Sequence, residues 1–186
     1  MRGMRWILLV AGLLLAPMEL AAQETPEAVV QRYFDRFMSG DFAAHAAMMD
    51  PAALTELKTA MVGVADATGV SADETQAHLR ETFGVQNTAE LRALESAVLY
   101  ERMLRSVLGQ GEMREVLSAA RVNALGHVLE GDTAHVVYRM SMEVMGNKID
   151  QVQVAPVRRV DGQWRVLLTG SFAAMINAMP AAGIEP

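Results

Sequence analysis

Two histidines near the C-terminal end of the chain, His127 and His135, are the residues whose type and spacing first suggest chemistry. They sit in consecutive stretches of β pattern. Set opposite each other across a hairpin, their imidazoles would lie at cross-strand distance and could begin a Zn²⁺ or Cu²⁺ site with further ligands. The plainer reading, an exposed or half-buried polar pair on an outer sheet face, is preferred. Met140-x-Met142-x-x-Met145 superficially resembles the thioether clusters that hold Cu(I). Those methionines, however, lie among valines in a chain with 14 methionines, which favours packing. Gly109-Gln110-Gly111 resembles the start of a phosphate loop, but no strand precedes it and no third glycine follows, so it reads as a helix stop. Arg158-Arg159 flanks a turn and reads as solvated. No His-Glu-x-x-His, Gly-x-Ser-x-Gly or Walker sequence occurs. No catalytic residue, metal ligand or cofactor is therefore assigned.

The histidines and methionines belong to a β meander over Gly131–Phe172. Its expected strands are Thr133–Val144, Lys148–Val160 and Gln163–Thr169, preceded by one over Arg121–Leu129. Asp161-Gly162 is the strongest turn signal. In Thr133–Val144 the apolar residues Ala134, Val136, Tyr138, Met140 and Met142 alternate with polar ones, so one face is buried. In the next strand Val152 and Val154 share a parity that Val157 does not, which predicts a β-bulge at Ala155-Pro156 and places all three valines on the inner face. Trp164, Val166 and Leu168 continue that face. Upstream, a three-residue loop Glu130-Gly131-Asp132 sets Leu125 opposite Val137, Asn123 opposite Arg139 and His127 opposite His135.

Helices to cover this sheet come first in the chain. Thr25-Pro26 opens one, with threonine as N-cap, proline at the first helical position and Val29, Val30, Tyr33, Phe34, Phe37 and Met38 as its stripe. Ser39-Gly40-Asp41 separates it from a short helix carrying Phe42 and Met48-Met49. Asp50-Pro51 begins another, and Ser71 with Glu74 forms a capping box. Asn87 with Glu90 caps the longest, expected to run unbroken through Leu91, Leu94, Val98, Leu99, Met103 and Leu104. Helices first and strands last predict an α+β fold: N-terminal helices on a strongly bent antiparallel sheet.

Residues Met1–Ala22 read as a secretory signal: Arg2 and Arg5, an apolar run over Trp6–Ala16, then Leu20-Ala21-Ala22 before Gln23. Pro17 and Glu19 interrupt the run, which is too short for a span of ~20 apolar residues. The chain is thus expected to be exported, periplasmic or secreted, and free of the membrane after signal removal. It contains no cysteine, which fits an exported protein without thiol chemistry. Removing Arg2, Arg5 and Glu19 from 16 basic and 22 acidic residues leaves 14 and 21, a charge near −7. With no basic run, this argues against nucleic acid and anionic lipid surfaces. Residues 23–178 make one domain, and 179–186 are expected to be a flexible tail.

The residues Pro26-Glu27-x-Val29-Val30-x-x-Tyr33-Phe34, then Gly40-Asp41, Gly131-Asp132-Thr133-Ala134 and Asp161-Gly162-Gln163-Trp164-Arg165-Val166, together resemble the nuclear transport factor 2-like (cystatin-like, α+β cone) superfamily. The motifs are structural, and the superfamily spans isomerases, dehydratases, cyclases and binding modules, so they speak for fold more than for activity. The resemblance implies a cone between sheet and helices that Tyr33, Phe34, Phe37, Tyr138, Met140, Met142 and Trp164 would line or close, either around a small apolar ligand or as a filled core. It implies an enzymatic alternative too, a lyase or isomerase using Tyr138 and a helical carboxylate, although no family catalytic residue matches a position here. A third expectation is a homodimer through the outer sheet face, at Leu125, Val137 and the histidines.

Overall fold

The computed structural model describes residues 24–67, 72–109, 111–144 and 146–168. The expected signal, the tail and the Ser71 capping box lie outside them. Among the described residues, seven helices precede four strands: α1 (Pro26–Ser39), α2 (Phe42–Ala46), α3 (Pro51–Ala67), α4 (Ala72–Phe83), α5 (Thr88–Ala93), α6 (Ser96–Leu108) and α7 (Gly111–Ala119), then β1 (Arg121–Glu130), β2 (Thr133–Val144), β3 (Asn147–Val160) and β4 (Gln163–Val166). The strands form one antiparallel sheet in sequence order. The fold is α+β. No described helix is long and apolar enough to cross a membrane.

Local chemistry sets the element ends. The Thr25 hydroxyl accepts from the Ala28 amide at the start of α1, and Gly40, at φ 76°, ends it in the left-handed conformation that a side chain would resist. The Asp161-Gly162 turn has positive φ at both residues, 50° and 79°, the geometry of a tight hairpin whose twist matches its strands.

Along β2 the expected alternation holds. Ala134, Val136 and Tyr138 are buried, and with Val29 and Val30 of α1, Ala155, Val157 and Val166 they form the core between helix and sheet. Tyr33, Phe34, Met140 and Trp164 pack against its margin. On β3, however, the pairing with β2 runs from Thr133–Arg158 to Val144–Asn147 without interruption, and the bulge expected at Ala155-Pro156 is absent. The Pro156 carbonyl accepts from the Leu167 amide, so its missing N–H lies on the same side, past the last β3–β4 pair, Val157–Val166. Only the return bond to Leu167, at the end of the β3–β4 ladder, is lost there, so proline needs no bulge. Parity therefore stays constant: Ala155 and Val157 point inward, whereas Val152 and Val154 point outward, 54% and 48% exposed.

The irregularity lies in β1 instead. Glu130 pairs with Thr133, so the loop is the two-residue Gly131-Asp132, and the extra residue is bulged out at Leu125. Asn123 does face Arg139, as expected, but beyond the bulge Gly126 faces Val137 and His127 faces Val136. The two histidines are thereby separated. His127 reaches Glu27 on α1 and His135 reaches Glu130, and no His127–His135 pair forms.

The helix expected to run unbroken from residue 88 is two. Leu94 and Glu95 are extended, ψ 144° each, between α5 and α6. The Lys58 ammonium donates to the carbonyls of Arg92 and Leu94, both at 2.6 Å, which satisfies acceptors the break exposes. Leu91 and Leu99 still enter one cluster with Leu79, Phe83 and Val85, so the apolar period survives the break.

Asp50 joins the helical and sheet halves. Its carboxylate is 1% exposed. Oδ1 accepts from the Ala52 and Ala53 amides at 2.7 and 3.2 Å, and Oδ2 accepts from Arg158 at 2.6 Å. Burial pushes its pKa up, but the Arg158 guanidinium and the two helix amides outweigh that and hold it below the usual carboxylate value. Beside it, the Asp50 amide donates to the Val166 carbonyl and the Val166 amide to the Met48 carbonyl.

Candidate functional site

An apolar hollow lies among the helices, not against the sheet. It has a volume of about 930 Å³, within the range of small-molecule sites. Met61 and Val64 of α3, Leu79 and Phe83 of α4, and Met103 and Leu104 of α6 supply its walls, and Leu168 closes one side. These helices carry apolar residues on more than one flank. Two clusters form, one centred on α2, α3 and α6, the other on α4, α5 and α6, and Met61 and Met103 pack against both. The space between them is the pocket.

Of the aromatic and methionine residues expected at a ligand cavity, Tyr33, Phe34 and Phe37 line this pocket. Tyr138, Met140, Met142 and Trp164 are not among its lining residues. Tyr138 is buried in the sheet core, its ring 4.6 Å from that of Phe34, and its hydroxyl donates to Gln153 Oε1 at 2.8 Å. Met140 and Met142 are half-buried on β2. Trp164 is half-buried, with the Arg159 guanidinium over its ring at 4.8 Å. On α1, Phe34 packs against the sheet core, Phe37 against the cluster of α2, α3 and α6, and Tyr33 against both.

Sequence reasoning missed the polar end of the pocket. His45 on α2 is 1% exposed. Its Nδ1–H donates to the Tyr33 carbonyl at 3.0 Å, which fixes the tautomer, because a carbonyl can only accept. Nε2 is then the acceptor, and the Tyr100 hydroxyl donates to it at 3.4 Å. The imidazole stacks on the Tyr33 ring, centroids 3.9 Å apart. Burial lowers the His45 pKa to about 4, against a smaller upward pull from the Tyr33 carbonyl, so the ring is neutral near pH 7. Burial also raises both tyrosines, Tyr100 to about 12 and Tyr33 well above its usual value. The Tyr33 hydroxyl donates to the Met49 sulfur at 3.9 Å. One signal was available: Tyr100, Met103, Leu104 and Val107 repeat at helical spacing as a second stripe on α6. His45, within Phe-Ala-Ala-His-Ala, had none.

The rim differs from the floor. Glu74, His78 and Glu81 of α4 are exposed there. No lysine or arginine lines the pocket among the described residues, and no group of three or more His, Asp or Glu side chains gathers as a metal site among them. Neither a family model, nor a curated protein, nor a solved structure matches the chain.

Proposed function

We propose that this protein is an exported, non-catalytic binding domain of the nuclear transport factor 2-like kind that holds a small apolar ligand between its helices. The observation that carries the reading is the pocket of about 930 Å³ with methionine, leucine, valine and aromatic walls. A hollow of that size and lining gains free energy from an apolar occupant at roughly 25 cal/mol per Å² of surface removed from water. Methionines let such walls adapt to shape.

The chemistry of the floor supports binding over catalysis. A general base works best with a pKa near the working pH. His45, lowered to about 4, is a weak base, and its Nδ1–H is held by a backbone carbonyl, not by a carboxylate that would stabilise a charged ring. The reading is tested by native mass spectrometry of protein purified from its source without denaturation. The expected spectrum carries one retained small molecule per chain, lost on organic extraction; protein repeatedly recovered bare from gentle purification contradicts it.

A second reading, association of two copies through the outer sheet face, has one observation in its favour. The bulge at Leu125 and the constant parity of β3 leave Leu125, Val128, Val152 and Val154 exposed together, and exposed apolar patches of this kind mark association surfaces. Sedimentation of the parent and of Val154→Glu tests it: a dimer that the variant dissociates supports the reading, and a monomeric parent removes it.

A further inference from the structure

The walls of the pocket are not held equally. On α6, Leu99, Tyr100 and Leu104 are buried, and Met61 of α3 packs against both apolar clusters. α4 divides in two. Its second half is anchored: Leu79 and Phe83 are 3% and 4% exposed and share a cluster with Val85, Leu91 and Leu99. The Phe83 carbonyl accepts from the Arg102 guanidinium of α6. The Gly84 amide donates to the Arg80 carbonyl and the Val85 amide to the Leu79 carbonyl, and Gly84, at φ 64°, takes the left-handed conformation that closes a helix end. From residue 73 to 78, by contrast, no side chain is buried: Thr75 is half-buried and the others are exposed. Glu74, Thr75 and His78 nevertheless line the pocket.

The pocket meets water on this same side. Its exposed lining residues are Glu74, His78 and Glu81 on α4 and Ser106 and Val107 on α6, so it opens between these two helices. A helical segment without buried side chains belongs to the low-stability end of a structure, where local opening is least costly. An apolar molecule in the pocket gives that segment a surface to pack on, and so favours the closed arrangement over the open one.

We propose that residues 73–78 of α4 are the door of the pocket: they swing about the anchored end, residues 79–84, to admit an apolar ligand and close over it. This rests on the binding function proposed above and adds how the site is entered. The chain contains no cysteine, so nitroxide labels go only where cysteines are introduced. Pulsed EPR distances are measured in the full mature chain for Asn123→Cys with Gln76→Cys, and for Asn123→Cys with Arg80→Cys. Each pair is read with and without saturating N-phenylnaphthylamine. All three positions are exposed and outside the pocket lining.

The expected Asn123–Gln76 distribution is broad or double without the probe and narrows to one distance with it, while the Asn123–Arg80 distance is single and unchanged. Stopped-flow binding of the same probe gives an independent reading. Gln76→Gly with Ala77→Gly weakens the helix of the door by about tenfold in equilibrium. Association and dissociation should then both quicken by about that factor, leaving Kd within about twofold of the parent, because the door is loosened in the free and bound states alike. A single Asn123–Gln76 distance that the probe leaves alone, or an equal change at Gln76 and Arg80, overturns the door while leaving the binding function standing. So does a glycine variant whose Kd rises with its association rate unchanged. Absence of saturable probe binding by the parent removes the binding function itself, and the inference with it. The label distances need no loosened helix, so a glycine variant that folds poorly does not protect the claim.

Discussion

Lowering the pH should destabilise the protein through His45 over a defined window. The ring is buried and neutral in the folded state, with a pKa of about 4, against 6.5 for the free side chain. Between those values the unfolded chain binds a proton that the folded chain refuses, so stability rises with pH there. The contribution is fully present above about pH 6.5 and is lost as the pH falls toward the folded value. Each pH unit in the window corresponds to about 1.4 kcal/mol, so a fall from about pH 6.5 to about pH 4 removes roughly 3 kcal/mol. For a domain of about this length that is roughly 6–12 °C in melting temperature. The assay is urea denaturation at half-unit pH steps on the parent and on His45→Gln, taking the difference between the curves so that titrations common to both cancel. The parent curve should steepen over that window while the variant's does not. NMR titration of the His45 ring gives a second readout, expected to show no protonation above about pH 5. Parallel curves, or a ring that titrates near pH 6.5, would refute the buried neutral imidazole.

Asp50→Ala should cost about 2–4 kcal/mol by equilibrium denaturation, since it removes the N-cap of α3 and the buried partner of Arg158; Asp50→Asn, which keeps a cap acceptor, should cost less. Because its folded pKa lies below 3.8, Asp50 stabilises above that value and loses its contribution as the pH falls through the folded pKa, so the parent's advantage over Asp50→Asn should shrink only in strong acid. Val157→Ala should cost about 2 kcal/mol through lost burial, whereas Val152→Thr and Val154→Thr should stay within about 0.5 kcal/mol; comparable large costs at all three positions would restore the Ala155-Pro156 bulge. Trp164→Ala should cost less than a fully buried tryptophan would, because the ring is half-buried and leans on Arg159. Arg165→Ala should be measurable as well, since Arg165 donates to the Ala47 carbonyl at 2.6 Å. Intact mass of the mature protein should lack residues 1–22; full-length chain in the membrane fraction would contradict export.

The elements legible in the sequence are those whose cause is local. Thr25-Pro26, Asp41, Asp50-Pro51 and Asn87 mark helix starts with their own side chains, and Asp161-Gly162 fixes its turn through backbone preference. The helix-first, strand-last order and the alternation of β2 give the α+β class. What was not legible depends on partners far along the chain. Pro156 needs no bulge because β4 ends beside it, and the extra residue of β1 could sit in the loop or at Leu125 with almost the same hydrophobic pattern. The α5–α6 break rests on Lys58, from a helix some thirty residues earlier. Of the candidate site, the α1 aromatics were visible as a stripe. The pocket was not, because it arises where two clusters fail to meet, and His45 gains its meaning only from Tyr33 and Tyr100.

Ligand binding in the space between α3, α4 and α6 can be tested directly by filling that space. Ala60 and Val64 lie one turn apart on α3 and both line it, so Ala60→Phe with Val64→Trp should fill much of the hollow from a single wall. The direct measurement is a fluorescence titration of N-phenylnaphthylamine into the parent and this double variant, with melting temperatures recorded alongside. One saturable site in the parent, weakened at least about tenfold in a variant that still melts cooperatively, is the expected result. Equal binding by both proteins, or no saturable binding by the parent, would contradict it.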